Sequence, residues 1–182
     1  SPCGGCRSSP VGVRSSSAMQ HVCVSRGGTE LAVRGWFTVR VDLVSGAGLH
    51  FAPQPGRIFL VGPSHTFLDL ATAIDLGFAR WDLSHLHEFR FPDGRCFGIP
   101  SEEEDPDVID YETVRVGSQV KRGERFTYVF DFGANWQHQC EVLDSNLDPL
   151  EVLGHVPHQP TPIWGWGWIP DQYARQCYGE DA

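Results

Sequence analysis

Tyr128-Val129-Phe130-Asp131-Phe132-Gly133-Ala134-Asn135-Trp136-Gln137-His138-Gln139-Cys140 holds two strand-like runs around a short turn. Aromatic and β-branched residues fill both runs, and Gly133-Ala134-Asn135 lies between them. That pattern predicts a hairpin of residues 126–132 against 136–143. Side chains alternate across a strand. Trp136, His138, Cys140 and Val142 therefore share one face, and Gln137, Gln139 and Glu141 share the other. Asp131, placed just before Phe132-Gly133, has the chemistry to accept from the N–H groups of the turn.

Working outward, Ser84-His85-Leu86-His87-Glu88-Phe89 opens a second hairpin. Residues 85–91 read as a strand, Pro92-Asp93-Gly94 as the turn, and 95–99 as the return. His85, His87, Phe89 and Phe91 fall on one face; Leu86, Glu88 and Arg90 fall on the other. Before this hairpin, Thr66 reads as a helix N-cap with Asp69 three residues on, a capping-box spacing. Phe67, Leu70, Ala71, Ile74 and Phe78 follow at helical intervals, which predicts a core-facing stripe. Gly77 reads as helping to close the helix. Residues 36–44 and 57–61 read as strands, and the Gly- and Pro-rich stretch 45–56 as a loop. Residues 102–112, with seven acids and Pro106, read as a solvated loop. From Pro157 the chain is rich in Pro and Trp. Trp164-Gly165-Trp166-Gly167-Trp168 is a poor helix former and reads as an extended aromatic strap over the sheet. The fold class expected is α+β: an antiparallel sheet built of hairpins with one main helix packed on a face.

Together these segments resemble the plasmid Ri (pRi) ORF-three-like family, a group also carried by insertion elements as a passenger TnpR-like protein. The likeness rests on residues 66–91, on 126–142, which is similar to the family's Tyr-x-Phe/Tyr-Asp-Phe/Leu-Gly-Asp-x-Trp-x-His pattern, and on the Trp-rich stretch 164–173. It spans roughly residues 36–178. One departure is Ala134, where the family usually has an acid; any property resting on that acid is weakened here. The resemblance implies an uncharacterised binding or accessory module associated with plasmids and mobile elements. It does not imply resolvase chemistry, because no Ser nucleophile sits in a recombinase-like arginine setting.

Composition bounds the other classes. A chain of 182 residues with 41% hydrophobic and 20% charged residues fits one globular domain. The expected organisation is a flexible leader over residues 1–30 and one domain over 31–182 with the Trp-rich strap at its end. The only methionine is Met19, and residues 1–18 are rich in Ser, Gly, Pro and Arg, so Met19 reads as the natural start. No run approaches the roughly 18 apolar residues of a membrane helix, and no signal peptide opens the chain. A soluble, cytoplasmic protein is expected. Net charge is −9, with nine Lys and Arg against seven acids in residues 1–100 and five against sixteen in 101–182. That balance disfavours non-specific nucleic-acid binding. A local basic strip of Lys121, Arg122 and Arg125 beside Arg90 and Arg95 is what a DNA-binding accessory protein would need.

The residues that carry chemistry fall on the two hairpins. If both lie in one sheet, His85 or His87 approaches His138, with Asp131 at the neighbouring strand end and Trp136 beside them. Two or three His with a carboxylate make a metal set with an open position, which would suit a small metal-dependent hydrolase or nuclease. The alternative assigns His85, His87, Asp131, Trp136 and His138 to structural bonds or to a partner or ligand cleft without bond-making chemistry. Cys3, Cys6, His21 and Cys23 have zinc-ligand spacing, against the reading of that region as a leader. Cys96 and Cys140 sit in strand-like runs and read as small buried residues. No dinucleotide fingerprint, Walker loop, Gly-x-Ser-x-Gly elbow or His-Glu-x-x-His occurs. No cofactor is expected, with a divalent metal as the alternative, and the partner is an unknown protein or small ligand.

Overall fold

The computed structural model describes residues 35–101, 107–173 and 175. The leader and the Cys3, Cys6, His21 and Cys23 set lie outside them. The fold is mostly sheet. Its strands are β1 (Trp36–Gly46), β2 (Leu49–His50), β3 (Gly56–Val61), β4 (His87–Arg90), β5 (Cys96–Gly98), β6 (Ile109–Asp110), β7 (Arg125–Phe130), β8 (Trp136–Leu147) and β9 (Thr161–Trp166). Three helices join them: α1 (Phe67–Gly77), α2 (Val116–Gln119) and α3 (Pro149–Leu153). The strands form one sheet in the order β6-β5-β4-β7-β8-β1-β3-β9, and β2 pairs with β1 beside that path.

Both hairpins therefore share one sheet, joined where β4 pairs antiparallel with β7. The sheet is not purely antiparallel, however. β6 runs parallel to β5, with Phe97 opposite Ile109. This corrects the all-antiparallel expectation, and β6 lies in the stretch read as a solvated loop. A two-residue pairing is too short to show alternation, so the acids and Pro106 outweigh it in the sequence. The loop expected at 45–56 likewise holds β2 and the ends of β1 and β3.

α1 begins as its sequence dictates. Thr66 Oγ1 accepts from the Asp69 N–H at 3.2 Å, and Asp69 Oδ2 accepts from the Thr66 N–H at 2.8 Å. Its end differs from expectation. Phe78 is the C-cap, and Ala79 takes the left-handed conformation at φ 54°. Gly77 serves packing instead: a Cβ there would come within 2.8 Å of Phe59 Cζ. The stripe Phe67, Leu70, Ala71 and Ile74 is buried in the same core as Phe37, Val39, Val41 and Leu43 of β1 and Trp136, Cys140 and Val142 of β8. Phe67 stacks on Phe97 with ring centroids 4.3 Å apart, and Phe91 stacks on Phe126 at 4.7 Å. Offset ring pairs of this kind add to the gain from burial alone.

The Trp-rich tail divides into two parts. Thr161–Trp166 is not laid over the sheet. It extends it, pairing as the edge strand β9 against β3. The chain then turns at Gly167, φ 75°, and folds back over the link between α1 and β4. There Gln172 Oε1 accepts from the N–H groups of Trp81 and Asp82 at 2.9 and 3.0 Å, and Gln172 Nε2 donates to Asp82 O at 2.9 Å.

Leu70 and Ile74 are wholly buried. Leu70→Ala or Ile74→Ala is expected to cost about 2–5 kcal/mol in urea melts. A loss below about 1 kcal/mol in both would show that α1 is peripheral to the core.

Candidate functional site

The turn between β7 and β8 is built around Asp131. Its backbone is left-handed at φ 55°, as is that of Asn135 at 52°, a region Asn and Asp enter more readily than other side chains. Asp131 Oδ1 accepts from the N–H groups of Gly133 and Ala134 at 3.0 and 3.1 Å. The Asn135 N–H closes the turn on Asp131 O at 2.6 Å. One carboxylate oxygen is therefore committed to the turn. The other lies 3.5 Å from His85 Nδ1.

Register then sorts the candidate residues. Phe130 pairs with both His87 and Trp136, and Tyr128 pairs with both Phe89 and His138. Directly paired residues project to the same side of a sheet. His87, Phe89, Tyr128, Phe130, Trp136 and His138 thus share the face that α1 covers. This one face holds two separate polar groups.

The outer group is half-exposed. His85 lies between Asp131 and Asp82, with Nε2 3.7 Å from Asp82 Oδ2 and 3.3 Å from the Tyr173 hydroxyl. The Tyr173 hydroxyl donates to Asp82, and Ser84 donates to it at 2.6 Å. The Ser84 and Tyr173 hydrogen bonds hold the Asp82 carboxyl down at about 2.

The inner group is buried. Asp75, on α1, accepts from the Tyr128 hydroxyl at 2.8 Å. Burial pushes the Asp75 carboxyl up to about 7, against the hydrogen bond from Tyr128 and the charge of Arg80. His87 Nδ1 is 3.7 Å from Asp75 Oδ2, beyond hydrogen-bond range, while Nε2 lies 3.1 Å from the Tyr111 hydroxyl. Desolvation lowers His87 to about 4. His138 is wholly buried, its ring edge-on to Phe78 at 4.8 Å. Desolvation first, and the charge of Arg80 second, lower it to about 3. Trp136 is also wholly buried, and the Arg80 guanidinium carbon sits 3.9 Å from its ring centroid. Burial of this cation lowers its pKa to about 10, so Arg80 stays charged at neutral pH.

The structure thus brings His85 to Asp131 and places His87 and His138 on either side of Tyr128, whose ring approaches theirs at 5.8 and 5.6 Å. It does not bring the four into one set. Among the described residues no three His, Cys, Asp or Glu side chains converge as metal ligands. Asp75, Arg80, Tyr128 and Gln172 were not singled out by sequence reasoning. Asp75 left a trace, as an acid one turn after Ala71 inside an apolar stripe. Nothing in the sequence marked Arg80 as buried.

The four arginines of the basic strip are each neutralised by an acid. Arg90 pairs with Glu88, Arg95 with Asp93 and Glu124, Arg122 with Asp144, and Arg125 with Glu141. Among the described residues no helix is long and apolar enough to cross a membrane.

Two outcomes are expected here. Asp131→Asn keeps both the acceptor oxygen and the tolerance for φ 55°, so its melting curve should match wild type within about 0.5 kcal/mol. Asp131→Ala strands two N–H donors and should cost about 1–3 kcal/mol. The second outcome concerns Asp75. Its folded pKa is raised from 3.8 to about 7, so the folded state holds the proton more tightly than the unfolded chain. The stability this provides is complete below pH 3.8 and is lost as pH rises towards 7. Asp75→Asn removes that loss. Urea melts of the two proteins should converge at low pH, and wild type should fall behind by up to about 1.4 kcal/mol per pH unit through this window. Parallel curves would show that Asp75 does not titrate there.

Comparison with known proteins places this geometry in a wider group. No curated protein matches the chain. Among solved structures, it is similar to a protein of unknown function from Methanosarcina mazei Go1. The identity is 22% and the TM-score 0.52, over 73% of this chain and 70% of that one; the likeness is one of fold. The family model for plasmid pRiA4b ORF-3-like protein matches residues 49–157. That span runs from β2 to just past α3 and takes in Asp75, both histidine-bearing strands and the Asp131 turn, and on it the chain belongs to the plasmid pRiA4b ORF-3-like protein family.

Proposed function

We propose that this chain is a binding or accessory module of plasmids and mobile elements, without bond-making chemistry of its own, and that it engages a protein partner through β9 and the tail. One observation carries the reading. The candidate catalytic side chains are committed locally or sealed in the core, while three of the five large aromatic residues that face solvent among the described residues, Trp164, Trp168 and Tyr173, lie on the C-terminal stretch. Trp164 is 68% exposed and Trp168 77%, and Trp81 and Tyr173 pack edge to face nearby with their outer surfaces in solvent. Exposed aromatic surface at this density is what interfaces use.

The partner's chemistry follows from the groove along β9. Arg57, Pro162, Trp164 and Trp166 line about 410 Å³ of open space. Arg57 Nη1 donates to Gly56 O and Trp166 O at 2.7 and 3.0 Å, and Arg57 has no carboxylate partner among the described residues. A sheet edge with exposed indoles on one face, Trp164 opposite Ile58, and a cation on the other, Arg57 opposite Gly165, suits an extended, proline-containing acidic segment. The ring faces would pack on proline and the guanidinium would take a carboxylate.

The test is reconstitution with the proteins encoded on the same plasmid or element. A defined stoichiometric complex, weakened at least tenfold by Trp164→Ala and by Arg57→Gln with the fold intact, is expected. Turnover of phosphodiester, ester or amide substrates by the purified chain, abolished by His85→Gln and Asp131→Asn, would overturn the reading in favour of a hydrolase or nuclease. Salt-sensitive duplex binding lost on neutralising Arg122 and Arg125 would overturn it in favour of a DNA-binding accessory protein.

A further inference from the structure

Beneath the end of α1, six solvent-inaccessible nitrogen atoms have no hydrogen-bond partner among the described residues. They are Arg80 Nε and Nη2, Trp136 Nε1, both ring nitrogens of His138, and His87 Nδ1. Five of the six belong to three side chains in one neighbourhood. The Arg80 guanidinium lies over the Trp136 ring. Trp136 and His138 are successive inward-facing positions of β8. His138 packs on Phe78, two residues before Arg80. All three side chains are at least 99% buried.

Unpaired buried donors are rare in folded proteins because each forfeits its hydration. A charged donor forfeits most. The identity of the missing partner follows from the donor inventory. Arg80 Nε and Nη2 and Trp136 Nε1 can only donate, and neutral His138 donates from one nitrogen. The carboxylates of Asp75 and Asp171 act on Arg80 by charge, but no side chain among the described residues bonds these donors. Asp75 Oδ1 is taken by Tyr128, and Pro170 O reaches only Arg80 Nη1, at 3.5 Å. What would satisfy these donors is an acceptor that carries a negative charge to set against the guanidinium.

We propose that Arg80, Trp136 and His138 form an internal binding site for a small monovalent anion, closed by the returning tail. Pro170 lies against Arg80, and Gln172 clamps the backbone of Trp81 and Asp82 beside it. The tail is therefore the gate through which an anion would exchange. This site is separate from the β9 groove and does not depend on how that groove is used.

Bromide is the probe, because it scatters anomalously and mimics chloride. The full chain is crystallised in sodium bromide, and its melting temperature is measured against sodium bromide and sodium gluconate at equal ionic strength. Expected are an anomalous peak within hydrogen-bond distance of Arg80 and Trp136 Nε1, and a melting temperature that rises with bromide but not with gluconate. That rise should vanish in Arg80→Met, which keeps the length and drops the charge. Ordered water alone at these nitrogens, or equal melting in both salts, would overturn the proposal. A crystal peak without the melting response would mean an adventitious ion only, and would overturn it too. Wild-type diffraction and melting decide the matter even if Arg80→Met fails to fold.

Discussion

Indole rings laid on strand glycines set the geometry on which the sheet depends. A Cβ on Gly46 of β1 would come within 2.0 Å of the Trp136 ring, one on Gly56 of β3 within 2.3 Å of Trp166, and one on Gly62 within 2.8 Å of Trp36. Each ring occupies the space that a side chain on the facing residue would fill. A tryptophan brings roughly 150–250 Å² of surface to be buried, and a glycine opposite lets the backbones keep normal strand spacing around it. The three pairs tie β8 to the end of β1, β1 to the end of β3, and β3 to β9. The central and edge registers of the sheet thus rest on one repeated steric device.

The same device prepares the polar interior. With Trp136 flat against Gly46, its face is free to carry the Arg80 guanidinium, and the end of α1 is held where Asp75 meets Tyr128. Burying these groups is costly, and depressed histidines with a raised carboxyl are the electrostatic record of that cost. The outer His85, Asp131, Asp82 and Tyr173 group differs in kind: it is half-exposed, its bonds are local, and it fastens the tail to the hairpin end.

Function here is read from which groups remain uncommitted. Asp131 is committed to its turn because residues 132–135 have N–H groups that need an acceptor, and β4, β7 and β8 have no other acid placed to serve. His138 is sealed by position rather than committed by bonds: period-two alternation puts it between Trp136 and Cys140 on the covered face. Arg57, by contrast, crosses β9 at Gly165, on the face opposite to Trp164 and Trp166, and has no carboxylate partner among the described residues, which is why the proposed partner is an acidic one.

Local chemistry was legible in the chain. The Thr66–Asp69 capping box, the stripe from Phe67 to Ile74, both hairpins and the face shared by Trp136, His138 and Cys140 follow from spacing and alternation, which need no distant contact. The resemblance carried by residues 66–91 and 126–142 already pointed to the family. Other features depend on residues far apart in sequence, and tertiary structure alone decided them. Parallel pairing of β6 on β5 has too few residues to show a period. Gly77 was read as a helix stop because its close approach to Phe59 is invisible without β3. The tail was read as a strap because nothing within it announces that β3 offers an open edge. Nothing in the sequence singles out Arg80, and its burial over Trp136 requires the helix end, β8 and the returning tail to meet. Periodicity reports which way a side chain points; it cannot report what waits there, and the candidate sites of this protein are set by that second fact.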